Sequence, residues 1–189
     1  MSSDRQYVLK LFFFDTPTSQ RALEGCITAY LYAAQDTGIV YAHLNRTDSQ
    51  LPTVVLKGPA WKRCSVSLDQ VRFALQRRAT PLSEELLHAY QKRDLLSFRR
   101  KINEAFALMQ KRSERGIQNA DHRLVNNFGY IEKKVVEIDF GQYYYDPDNH
   151  QSRQEKLRAL SHLARWVKKQ MPEWKNEIDL RINTLVAMQ

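Results

Sequence analysis

The segment Asp121-His122-Arg123-Leu124-Val125-Asn126-Asn127-Phe128-Gly129-Tyr130-Ile131-Glu132-Lys133-Lys134-Val135-Val136-Glu137-Ile138-Asp139-Phe140-Gly141 decides the fold. Within it, Phe128 to Ile131 and Val135 to Ile138 are short apolar runs rich in aromatic and β-branched residues, separated by Glu132-Lys133-Lys134. Runs of that length bounded by turn residues read as strands, and this pair reads as one β-hairpin. Asn126 and Asp139 are thirteen residues apart, so the hairpin would bring both to its open end. Asn127 is an equal candidate for that place if the first strand begins one residue later. Gly141 after the returning strand suits a turn at positive φ.

Working outward, Gln6 to Phe14 reads as a strand in which Lys10 is the one charge. A Lys in an apolar strand needs a partner or a route to water, because burying an unpaired ammonium is costly. Strand alternation would equally point it at solvent. Pro17 fits a first helical position with Thr16 as its cap, and a helix follows to about Gln35 with Leu23, Ile27, Tyr30 and Ala34 at helical spacing. Gly38 ends it. Ile39 to Leu44, Thr53 to Lys57, Arg63 to Leu68 and Val71 to Gln76 read as strands, the middle pair as a hairpin.

Thr80-Pro81 opens a helical half. Leu82 to Lys92 and Leu96 to Arg115 read as helices, the second carrying Ile102, Ala105, Phe106 and Met109 on one core-facing stripe before Gly116 stops it. Beyond Gly141 lies a tyrosine-rich turn, with Tyr143, Tyr144 and Tyr145 expected to pack the last helices against the hairpin. Two amphipathic helices follow, one with Leu157, Leu160, Ala164, Val167 and Met171, the other, after Pro172, with Trp174, Ile178, Ile182 and Leu185. The fold class is therefore α+β, strand-rich over residues 1–79 and helical over 80–189.

Asp121, then Asn126 five residues later, then Asp139-Phe140-Gly141 resembles the motif order of the protein-kinase-like superfamily, which includes protein kinases and aminoglycoside phosphotransferases. The resemblance covers roughly residues 5 to 145. It implies a two-lobed architecture: a truncated N-terminal lobe of a small antiparallel sheet plus one helix (1–79), then a helical lobe with a catalytic hairpin (80–189). It also implies that Asp121 positions an acceptor hydroxyl, that Asp139 with Asn126 or Asn127 holds Mg²⁺, and that Lys10 contacts ATP phosphates while pairing with Glu24. Mg²⁺ takes only one or two protein carboxylates, the other oxygens coming from phosphate and water, so one Asp and one Asn suffice. The chain departs from the pattern in having Asn119-Ala120 where protein kinases have His-Arg. Its six glycines, at 25, 38, 58, 116, 129 and 141, form no phosphate-covering cluster.

Composition bounds the alternatives. A chain of 189 residues with 43% hydrophobic and 11% aromatic residues can bury a core and is not of disordered composition. Cys26 and Cys64 lie in apolar contexts and are expected to be buried and inert, without a disulfide or zinc pattern. None of the five histidines has metal-ligand spacing, although His122 adjoins Asp121. The first residues do not read as a signal peptide and no stretch approaches a membrane span, so a soluble, cytoplasmic protein is expected. The formal charge of +8 comes from scattered basic pairs, which reads first as a solvated face. The same surplus would attract a triphosphate or an acidic partner. Three classes follow: a phosphotransferase with an unknown acceptor, a non-catalytic pseudokinase-type interaction protein, and a basic nucleic-acid-binding protein.

Overall fold

A computed structural model describes residues 6–13, 16–58, 62–148 and 152–180. The architecture is α+β with small antiparallel sheets. Strands β1 (Tyr7–Phe12), β2 (Ile39–His43) and β5 (Arg72–Arg77) form one sheet in the order β1-β5-β2, with Lys10 opposite Ala74. Helix α1 (Pro17–Thr37) connects β1 to β2. Its ends follow the sequence: Thr16 Oγ1 accepts from Ser19 N at 3.2 Å, and Gly38 at φ 69 provides the left-handed cap that a side chain disfavours.

Strands β3 (Thr53–Lys57) and β4 (Arg63–Ser67) form a separate hairpin. Cys64 lies on it and is exposed, contrary to expectation, because this hairpin stands off the core that buries Cys26. The turn before it is fastened by Asp69, whose carboxylate accepts from Thr47 Oγ1, Ser49 N and Leu51 N.

A third sheet has the order β6-β8-β9, from β6 (Thr80–Pro81), β8 (Phe128–Ile131) and β9 (Lys134–Glu137). This is the hairpin expected from the sequence, with Phe128 opposite Glu137 and Glu132 turning at φ 57. Helices α2 (Leu82–Gln91), α3 (Leu95–Glu114), the short α4 (Leu124–Asn127) and α5 (Ser152–Gln170) build the larger core with it, burying Leu86, Phe98, Ile102, Phe128, Leu160 and Leu163. The α3 stripe is as read, with Ile102, Ala105 and Met109 buried and Phe106 packed at the margin. Trp174 and the buried Ile178, within helical residues 175–180, close this core, while Ile182 and Leu185 lie outside the described residues. Among the described residues no helix is long and apolar enough to cross a membrane.

The expected tyrosine-rich turn is instead a strand, β10 (Tyr143–Tyr145), paired antiparallel with β7 (Ile117–Asn119). Both stretches have only three residues, and their backbone groups also bond outside the pair: Ile117 O accepts from Arg112 Nη1 and Tyr143 N donates to Phe140 O. Of these three tyrosines Tyr143 is buried while Tyr144 and Tyr145 are exposed, and Tyr145 stacks on Tyr32 of α1 at 5.3 Å. A second core joins α1 to these strands through Cys26, Ala29, Ala74, Ile117, Phe140 and Tyr143.

Candidate functional site

A cavity of about 770 Å³ opens between the β1-β5-β2 sheet and the β6-β8-β9 sheet, a size in the range of small-ligand sites. Lys10 enters it from β1, Gln76 from β5, Thr80 from β6, and Asn126, Ile138 and Asp139 from the open end of the hairpin. Three of the expected site residues, Lys10, Asn126 and Asp139, thus share one cavity.

Lys10 does not simply point at solvent. Its Nζ donates to Ile138 O at 2.5 Å and lies 4.0 Å from the centroid of the Phe140 ring. Burial lowers its pKa, and the Asp139 carboxylate pulls in the opposite direction. Asp139 is exposed, and its Oδ1 accepts from Gly141 N at 3.3 Å, which holds the turn. Gly141 is not at positive φ, so this side-chain bond rather than a left-handed residue makes the bend.

The two asparagines divide the work between them. Asn126 is exposed and lines the cavity, whereas Asn127 is buried and braces the backbone. Asn127 O accepts from Ile138 N at 2.6 Å and Asp139 N at 3.3 Å, and Asn127 Nδ2 donates to Asp121 O at 3.1 Å. Its Oδ1 is buried without a hydrogen-bond partner among the described residues.

Asp121 is not a lining residue of this cavity. Its carboxylate is held by Arg123, whose Nε donates to Oδ1 at 2.9 Å and to Oδ2 at 3.0 Å, and whose Nη2 donates to Oδ2 at 2.5 Å. Burial alone would raise the Asp121 pKa, but the Arg123 hydrogen bonds and charge outweigh it and hold the carboxyl below its usual range. Arg123 also feels Asp139, so one guanidinium connects the two carboxylates electrostatically. The flanking residues Ala120 and His122 line a smaller polar pocket of about 140 Å³ with Glu155 and Arg158. His122 titrates low because it is partly buried and faces the Arg158 charge.

Glu24 is not brought to Lys10. It is exposed, and neither of the hydrogen bonds nor ion pairs among the described residues joins the two. The neighbouring positions Gly25 and Cys26 turn inward instead. At Gly25 the helix approaches the Asp139 turn so closely that a Cβ would sit 2.4 Å from Phe140 O. Cys26 is near enough to Lys10 for their charges to interact, and burial pushes its thiol up to about 11.

Behind the site lies a polar group that the sequence reading did not single out. Arg112 of α3 donates from Nε to Glu137 Oε2 at 2.9 Å and from Nη1 to Ile117 O at 2.9 Å, and its Nη2 pairs with Glu155. Glu137 also accepts from Tyr143 Oη at 2.7 Å and Asn119 Nδ2 at 2.7 Å. Asn119 reaches both ends of the site, accepting from Asp121 N at 2.9 Å and donating to Asp139 O at 3.3 Å. A signal was present: Arg112 follows Ile102, Ala105 and Met109 on the apolar stripe, and Glu137 interrupts an apolar strand.

Among the described residues no cluster of three or more His, Cys, Asp and Glu could hold a metal ion. Among the residues that line the cavity, Asp139, Asn126 and Glu84 carry side-chain carboxylate or amide oxygens, as do Gln6 and Gln76, and Thr80 carries a hydroxyl. No protein-family model matches the chain, and no curated protein matches it.

Proposed function

We propose that this is a kinase-like protein that binds Mg²⁺-ATP in the 770 Å³ cavity and transfers a phosphoryl group to an acceptor hydroxyl. In this reading residues 1–79 and 80–189 are the two lobes of a kinase-like scaffold. The observation that carries it is the shared cavity of Lys10, Asn126 and Asp139. A polyphosphate needs cationic and metal contacts at one place, and these three side chains supply them from opposite walls.

The donor set fits Mg²⁺, a hard cation that keeps several waters and takes few protein carboxylates. Asp139, with Asn126 beside it, would hold it; the buried Asn127 serves the loop. When bound, the ion would neutralise charge on the phosphates. Lys10 is poised at the cavity wall to contact phosphate oxygens; burial lowers its pKa, and the Asp139 carboxylate opposes that shift in favour of the charged form this requires. Asp121, which lies outside the lining of that cavity, would accept a hydrogen bond from the acceptor hydroxyl once a nitrogen of Arg123 releases one carboxylate oxygen and the γ-phosphate projects beyond the lining toward it. The hydroxyl oxygen then bonds to the γ-phosphorus as the bond to the bridging oxygen breaks. Nucleoside diphosphate leaves with that electron pair, and the hydroxyl proton passes to Asp121.

A second reading, a non-catalytic interaction protein on the same scaffold, is favoured by the saturation of the Asp121 carboxylate by Arg123 and by the outward position of Glu24. Calorimetry with ATP, with and without Mg²⁺, separates the two. The first reading requires Mg²⁺-dependent binding that weakens in Asp139→Asn without loss of fold. Asp121→Asn should bind as wild type does and lose transfer by about 10²–10⁴-fold, the usual contribution of a positioned base. Wild-type protein with no Mg²⁺-dependent binding selects the non-catalytic scaffold.

A further inference from the structure

Arg158, His162, Arg165 and Lys169 recur along α5 at intervals of four, three and four residues. That spacing puts them on one helical face. Several cations on other elements are matched: Arg77 pairs with Glu132, Arg99 with Glu177, Lys101 with Glu85, and Arg115 with Asp36. Arg158, Arg165 and Lys169 form no ion pair among the described residues. The Arg165 guanidinium contacts the His162 ring at 3.0 Å and that of Arg158 the His122 ring at 3.4 Å, neither of them a carboxylate. Beside the stripe runs a groove of about 320 Å³ with Val125 and Trp166 in its floor and Arg123, Arg165 and Lys169 around it.

We propose that this groove docks an extended acidic peptide segment of a partner protein. One apolar side chain would rest on Val125 and Trp166, and flanking carboxylates would meet Arg158, Arg165 and Lys169. The reach agrees with that occupant. Eleven residues of helix separate Arg158 from Lys169, roughly 16 Å at a rise of 1.5 Å, which is about five residues of extended chain. A membrane surface fits less well, because an interfacial helix presents its apolar face to lipid, whereas Leu160, Leu163 and Val167 of α5 are buried in the core. Single-stranded nucleic acid fits less well, because it is held by successive aromatic platforms, whereas the groove has one Trp that already packs against the core. Docking does not depend on nucleotide; only the delivery of a docked hydroxyl to Asp121 rests on the phosphotransferase reading.

The test is fluorescence anisotropy of the full chain with a fluorescein-labelled Asp-Glu-Leu-Glu-Asp peptide. Binding should weaken as salt rises and fall by about tenfold or more in Arg165→Glu/Lys169→Glu, since a reversed pair of contacts changes the sign of the local field. A Lys57→Glu/Arg63→Glu control, with the same change in net charge on the exposed β3-β4 hairpin, should bind as wild type does. If charge reversal disturbs the fold by circular dichroism, Arg165→Gln/Lys169→Gln carries the same comparison. No wild-type binding, or equal losses in the groove and control variants, overturns the proposal. So does tighter binding of an oligothymidylate or of phosphatidylserine vesicles that depends on the same two residues. Mg²⁺-ATP titrated in parallel reports on the other cavity, so failure there overturns the nucleotide reading and leaves the peptide result standing.

Discussion

Lys10 has its ammonium against the Ile138 carbonyl and the Phe140 ring, with one carboxylate, Asp139, opposing the cost of burial. The sign of the resulting linkage is definite. A lysine whose folded pKa falls below 10.5 binds its proton less tightly in the folded state than in the unfolded one, so stability rises with pH across the interval between the two values. Asp139→Asn removes the favourable charge and should move the Lys10 midpoint lower still. A carbon-detected NMR titration of the Lys10 ε position reads this directly. An unchanged midpoint in Asp139→Asn would show that the two groups do not share an electrostatic environment. Residues of this kind were legible from the chain, because a lone charge in an apolar strand demands an explanation. Gln76 was not: its Nε2 donates to Thr37 O at 2.6 Å across the back of the cavity, and nothing in strand alternation marks a glutamine for that position.

At the scale of elements, α1 positions the Asp139 turn by contact rather than by an ion pair. Gly25 lets the helix backbone come so close that an added Cβ would meet Phe140 O at 2.4 Å and Gly141 C at 2.8 Å. Both are backbone atoms, which cannot swing aside as a flexible side chain would. Gly25→Ala should therefore destabilise by roughly 1–3 kcal/mol through overpacking, even though alanine is the better helix former. It should also shift the Asp139 and Gly141 amide resonances. A variant more stable than wild type with those resonances unmoved would refute this packing. The hairpin carrying Asn126 and Asp139 was legible because its apolar runs, its turn and their separation all agree. The β7-β10 pair was not, because each partner has only three residues and they lie 24 positions apart between Asn119 and Tyr143. The outward rotation of Glu24 was equally hidden, since helical spacing alone does not say which of Glu24, Gly25 and Cys26 faces the strand.

For the whole molecule, the larger core and the buried polar group beside it hold the helices to the site. Leu160 is 1% exposed among the α3 and hairpin side chains, so Leu160→Ala should cost roughly 2–5 kcal/mol in urea unfolding, and a curve superimposable on wild type would make α5 peripheral. Arg112 does a different job: it ties α3 to β9 through Glu137 and to α5 through Glu155. With both carboxylates ionised the trio carries one negative charge in excess, and the imbalance falls on Glu155, whose Oε2 has no hydrogen-bond partner among the described residues. Burial raises the Glu155 pKa more than the Arg112 guanidinium lowers it. The folded state then binds that proton more tightly than the unfolded state, so ionising Glu155 makes stability fall as pH rises from 4.5 through the raised value. Two variants should therefore behave oppositely. Arg112→Met leaves two buried carboxylates without their cation and should lose roughly 3–5 kcal/mol, the usual consequence of breaking a buried pair. Glu155→Gln keeps an acceptor for Arg112 Nη2, removes the excess charge, and should cost little while abolishing that part of the pH dependence. Urea unfolding of both variants from pH 4 to pH 8 measures the contrast, and a Glu155→Gln protein as unstable as Arg112→Met would show that Glu155 is held as a required anion.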